Sequence, residues 1–173
     1  IADISGYTSF FQDVESRHRD DAFANGATPA GYGLMSTLLG GIVEHHDGRE
    51  GDTRLVNGVA EPEIRIAAGQ IERWRFINSS SARYIRLSIG GAPFKIIGTD
   101  GGLIEAPVTV KEVLLPTADR VDLAVGPFEE GQELVVEALP YFRQTIKKRK
   151  TERFATLKVG PAKPSTAVIP ARL

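Results

Sequence analysis

The sequence predicts a mainly β chain: a sandwich of short strands preceded by a short helical segment. Three observations predict it. From about Gly48 onward, apolar residues alternate with polar ones at a period of two and no helical period competes. Asn-Gly, Gly-Gly and Gly-Pro signals cut that stretch into short runs at nearly regular spacing, as in an all-β sandwich or barrel. A hydrophobic share of 42% over 173 residues is enough to fill a core.

Residues 1–47 read differently. Tyr7, Phe10, Phe11 and Val14 fall at helical spacing, with Asp13, Glu15, Arg17 and Arg19 on the solvated face, which predicts an amphipathic helix. Asn25-Gly26 and Pro29 break it. Met35, Leu38, Leu39, Ile42 and Val43 then repeat at the same spacing and predict a second helix ending near His46 to Gly48. The change of period places a domain boundary at 47/48.

The strands expected after it run, in order, over Thr53 to Asn57, Glu63 to Ile66, Ile71 to Asn78, Tyr84 to Ile89 and Phe94 to Gly98. Val108 to Leu115, Val121 to Val125, Leu134 to Leu139 and Phe154 to Val159 complete the series. Asn57-Gly58, Ala68-Gly69, Gly90-Gly91, Asp100-Gly101-Gly102, Gly126-Pro127 and Gly131 supply the turns. Alternation puts Ile85, Leu87 and Ile89 on the inner face of their strand, and Tyr84, Arg86 and Ser88 on the outer one. Trp74 with Phe76, and Val121 with Leu123 and Val125, form two further inner rows. From Gly160 to Leu173 the chain carries Pro161, Pro164 and Pro170 and reads as a Pro-rich linker from about residue 160.

Composition narrows function. The balance of 21 basic and 22 acidic residues gives no global field for nucleic acid or an anionic membrane, so neither is expected as a partner. There is no cysteine, hence neither a disulfide nor a thiolate site. No apolar run approaches the roughly 20 residues that span a bilayer, and the first residues lack the order of a signal peptide. Localisation stays unassigned.

The candidate chemistry is sparse. His45 and His46 are neighbours that point apart on a helix or a strand, and read as a solvated helix end rather than a chelate. His18 lies between Arg17 and Arg19 and reads as surface. Lys147-Lys-Arg-Lys150, flanked by Arg143 and Arg153, lacks interleaved aromatics and reads as a hairpin loop. Asp100-Gly101-Gly102 is a tight turn rather than a phosphate cradle, because strands and not a helix follow it. Arg73, Arg75, Arg83 and Arg86 suit the solvent or interdomain face of paired strands, or salt bridges across a domain interface.

An ordered series of motifs carries a resemblance over residues 48–173: Gly48 to Gly58, Pro62-Glu-Ile64, Gly69 to Asn78 and Ala82 to Leu87. Pro93-Phe94, Thr99-Asp-Gly-Gly102, Glu105-Ala-Pro-Val108 and Ala118-Asp-Arg-Val-Asp122 follow. This series resembles the middle cupredoxin-like domain of three-domain multicopper oxidases, the laccase-like family. The resemblance implies a cupredoxin-like Greek-key β-sandwich, flanking cupredoxin domains as partners, and a parent, commonly periplasmic or extracellular, that oxidises substrates with dioxygen through copper. It also implies that copper ligands belong to the outer domains, so that this chain is a structural domain without catalytic, cofactor or metal residues of its own.

The opening Ala2-Asp-Ile-Ser-Gly-Tyr-Thr8, with Leu34 to Glu44, resembles the start of a class III nucleotidyl cyclase-like domain. That resemblance implies metal binding by Asp3, the backbone carbonyl of Ile4, and a second aspartate read at Asp52 in Glu50-Gly-Asp52. The rest of such a domain is missing, so the chain reads as a possible chimera joined near Asp52. A cyclase-related signalling fragment and a plain interdomain binding module are the alternative functions.

Overall fold

Side chains that alternate across an extended backbone need two cores or one core and water, and this chain resolves the choice with two stacked sheets. The computed structural model describes residues 7–14, 53–80, 82–141, 150–164 and 168–173. The described strands are β1 (Tyr7–Val14), β2 (Thr53–Val56), β3 (Glu63–Ala67), β4 (Glu72–Asn78), β5 (Ile85–Ile89) and β6 (Phe94–Thr99). β7 (Gly102–Val110), β8 (Glu112–Leu115), β9 (Arg120–Val125), β10 (Glu133–Leu139) and β11 (Glu152–Gly160) follow. One sheet runs β2-β1-β4-β9-β6-β7 and the other β3-β11-β10-β5-β8. Non-sequential neighbours such as β4 and β9 are the mark of Greek-key connections.

The expected inner rows meet between the sheets. Trp74, Phe76, Ile85, Leu87, Ile89, Val121, Leu123 and Val125 are all buried, joined by Ile64 and Ile66 from β3 and by Phe154, Leu157 and Val159 from β11. Each such side chain contributes about 1.5 to 3 kcal/mol by leaving water. In β11 two consecutive residues, Phe154 and Ala155, are buried because the β10 register slips between Val136 and Glu137. A bulge of this kind adds one residue to a strand and resets its alternation.

Three expectations are corrected. Tyr7 to Val14 form a strand and not a helix: Tyr7 lies opposite Trp74 in parallel pairing with β4, and Val14 lies opposite Thr53 of β2. Tyr, Thr, Phe and Val favour extended backbone, and a slot between two strands satisfies backbone groups on both sides. β1 therefore joins strands that lie beyond the 47/48 division. The second expected helix, Met35 to Val43, lies outside the described residues.

Val108 to Leu115 are two strands rather than one. The chain leaves β7, which pairs with β6, and after Lys111 enters β8, which pairs with β5 in the opposite sheet. Ser88, expected outside, is 2% exposed and its hydroxyl accepts a bond from the Gly91 N–H at 3.2 Å. That bond braces the Gly90-Gly91 turn, in which both residues have positive φ.

The Asn57-Gly58 turn behaves as its sequence predicts: φ is 53° and 81°, and Val56 and Val59 exchange backbone bonds of 2.9 and 3.1 Å. Gly126 has a different reason. Its φ is 99°, and a Cβ there would sit 2.4 Å from the carbonyl oxygen of Gln70.

Candidate functional site

The most constrained polar group in the described residues lies where β4 runs out. Asn78 shares parity with Trp74 and Phe76, so the strand that buries the aromatics buries the amide too, and it is 0% exposed. Its Nδ2 donates to the carbonyls of Arg83 (2.7 Å), Leu115 (3.0 Å) and Pro116 (2.9 Å). Two N–H groups serve three acceptors, so one is shared. Its Oδ1 accepts from the Ser80 hydroxyl at 2.6 Å and the Ser80 amide at 3.2 Å, and Asn78 exchanges backbone bonds with Asp119 and Ala118. The end of β4 is thereby tied to the start of β5 and the end of β8, across both sheets.

Beside it stands a charged bridge. Arg83, whose side chain is 6% exposed, donates to Glu152 of β11 at 2.7 Å, and Arg54 of β2 reaches the other carboxylate oxygen at 3.3 Å. Two guanidiniums share one carboxylate and link the two sheets, and the Arg54 Nε is buried without an acceptor. Sequence reasoning missed Asn78, Ser80 and Glu152. The signal for Asn78 was its parity with Trp74; for Glu152 there was none, because its partners lie 98 and 69 residues away.

The arginine rows find carboxylate partners within this chain. Arg73 Nε donates to Asp122 at 3.0 Å and Arg75 lies 3.8 Å from the same carboxylate. Gly98 makes room for it, since a Cβ there would meet Asp122 Cβ at 3.2 Å. Arg86 binds Glu112 at 2.6 Å, and the rings of Tyr84 and Tyr141 stack with centres 5.4 Å apart. Arg120 holds Asp100 of the Asp100-Gly101-Gly102 turn, as expected of a turn rather than a phosphate cradle. Glu63 binds Lys158 (2.6 Å) and Arg65 (2.7 Å) in an exposed cluster. The hydrogen bond from Lys158, then that from Arg65, holds the Glu63 carboxyl below the usual carboxylate range, and the Glu63 bond raises Lys158 above that of a free lysine.

Asp3, Ile4 and Asp52, with His18, His45 and His46, lie outside the described residues, as do Arg143 and residues 147–149 of the basic run. Lys150 and Arg153 are exposed. Among the described residues no group of three or more His, Cys, Asp or Glu is placed to hold a metal ion, and no helix is long and apolar enough to cross a membrane.

A fold of two Greek-key sheets with an apolar interior and a surface of internally paired arginines defines a β-sandwich domain of cupredoxin type. The multicopper oxidase family model matches residues 6–162, and the chain belongs to that family. The match crosses the 47/48 division, and the cyclase-like reading of the opening finds no support in it.

Among solved structures, the chain is similar to the McoA multicopper oxidase of Aquifex aeolicus, with a TM-score of 0.75 at 23% identity, covering 99% of this chain and 35% of that one. It is also similar to the multicopper oxidase of Campylobacter jejuni, described as a metallo-oxidase, with a TM-score of 0.71 at 26% identity, covering 98% and 32%. Among curated proteins it is similar to the cell division protein FtsP of Photorhabdus laumondii, 44% identical over 86 residues, and to that of Escherichia coli K12, 38% over 87 residues. These matches take in 49% and 50% of this chain and 18% of each relative. The chain thus spans about a third of the solved oxidases and a smaller part of the curated relatives.

The family implies copper in its full-length members, and the donors in this chain do not suit it. A blue-copper centre takes two imidazoles and a thiolate. The chain has no cysteine, and its three histidines all precede residue 47. The space between the sheets is filled by Trp74, Phe76, Phe94, Phe154 and their aliphatic neighbours.

Proposed function

We propose that this chain is a structural cupredoxin-like domain without copper of its own, the middle domain of a longer multicopper-oxidase-family protein. The supporting observation is the donor inventory: no residue after His46 is an imidazole or a thiolate. In this reading the domain holds its neighbours in register, the apolar rows supplying rigidity and the Asn78 junction holding both sheets at one end. The parent couples substrate oxidation to dioxygen reduction through copper carried by the flanking domains.

Metal analysis of the purified chain after incubation with copper and desalting tests the first part. Less than a tenth of an equivalent is expected, on the order of a nonspecific background; stoichiometric copper with a thiolate-free spectrum would refute it.

A second reading of the parent is favoured by the likeness to the FtsP proteins, 44% identical over 86 residues in the Photorhabdus laumondii protein. In that reading the parent keeps the fold and serves cell division in place of oxidation. Oxidase assays on the full-length parent loaded with copper separate the two.

A further inference from the structure

β7 ends its sheet, so one side of its backbone faces away from β6. It is long for an edge strand, running from Gly102 to Val110, and carries Leu103 and Val108, each 51% exposed. An edge of this kind is a template for another extended chain unless something blunts it. Part of the blunting is local. The β6 register passes from Ile96↔Val108 to Gly98↔Leu103 and skips residues 104–107, and Pro107 in that stretch has no N–H to donate.

The skipped stretch leaves the Glu105 carbonyl outside the ladder with β6, and the Leu173 amide donates to it at 2.9 Å. Arg172 adds an ion pair to the Glu105 carboxylate at 3.0 Å. Along the segment, Ile169 and Leu173 are half-buried while Val168, Pro170, Ala171 and Arg172 are exposed. Upstream, the Gln70 side-chain amide reaches the Pro164 carbonyl at 3.5 Å.

We propose that the outer edge of β7 is a strand-addition site and that its occupant is this chain's own segment 168–173. The main-chain bond at Glu105 supplies the docking, as in other additions of a peptide to a sheet edge. The exposed Arg172–Glu105 pair sets direction rather than strength. The segment read from sequence as a linker is thus a guard strand on the open side of the sheet. The inference stands apart from the reading of the parent.

The chain has no cysteine, so Ala171→Cys carries a nitroxide at one defined place. In the folded chain, β7 amides are expected to lose signal to that label, and the Leu173 amide to exchange at least about tenfold more slowly than an unprotected one. Adding Arg172→Glu and Leu173→Pro, which reverses the charge and removes the donor, restores the β7 signals while β4 and β9 shifts report an intact fold. An unprotected Leu173 amide, or β7 broadening that survives the double substitution, overturns the proposal.

Discussion

The side-chain amide of Asn78 donates at 3.0 Å to the carbonyl of Leu115, joining the last residue of β4 in one sheet to the last residue of β8 in the other. The same amide serves Arg83 and Pro116. Removing it takes a donor from all three carbonyls, of which Arg83 keeps the Ser80 hydroxyl and Pro116 the Asp119 amide, and a buried polar group left unpaired costs about 1 to 3 kcal/mol. Asn78→Ala is expected to lower unfolding stability by roughly 2 to 4 kcal/mol in urea titration. Asn78→Asp should be worse than Asn78→Ala, because a carboxylate cannot donate and sets negative charge against carbonyl oxygens. The reverse order would show that the cavity matters more than the bonds.

Glu152 balances two arginines, one of them almost fully buried. Breaking such a bridge from the carboxylate side leaves like charges together between the sheets. Glu152→Ala is expected to cost roughly 2 kcal/mol, less than a fully buried pair because Glu152 is partly solvated. Combining it with Arg54→Met should recover part of the loss by removing one of the two cations. A thermal melt of the single and double variants decides this, and an additive double variant would count against the coupling.

Trp74 is 0% exposed, lies 5.9 Å from Phe76 between ring centres, and donates its indole N–H to Glu72 at 2.9 Å. Trp74→Ala should cost about 3 to 5 kcal/mol through the cavity it opens. Trp74→Phe keeps most of the packing and removes the donor, so a smaller loss of about 1 to 2 kcal/mol is expected. Equal losses in denaturant titrations would assign the effect to the hydrogen bond.

The exposed Glu63–Lys158 pair gives a titration test. The Glu63 carboxyl is depressed, so its contribution is present above the unfolded carboxylate pKa and is lost as pH falls through the folded value. Lys158 is raised, so its contribution is present below the unfolded lysine pKa and is lost as pH rises through the folded value. Lys158→Met should move the Glu63 midpoint up toward the ordinary carboxylate range, read from its side-chain carbon by NMR. Arg65→Ala should move it in the same direction by less. An unmoved midpoint in the Lys158 variant would rule out the pairing in solution.

Most of the fold was legible because strands announce themselves locally. β3, β5, β6 and β9 lie within a residue or two of the runs expected from alternation, and the inner rows of Trp74, Ile85 and Val121 are where parity put them. The site was less so. Asn78 was readable from its parity with Trp74, whereas Glu152 joins Arg54 and Arg83 only after β11 is seated between β3 and β10.

By itself the sequence determined the β class, the inner faces, most turns and the lack of a thiolate anywhere in the chain, because each depends on residue type and neighbours a few positions away. Only the tertiary structure decided that Tyr7 to Val14 form a strand, that the run through Lys111 crosses from one sheet to the other, and that Ser88 faces inward to bond backbone. It also decided which carboxylate each arginine meets. Those outcomes turn on register between segments far apart in the chain, where the backbone partner on offer outweighs a local helical period and where a one-residue slip changes which side chains meet.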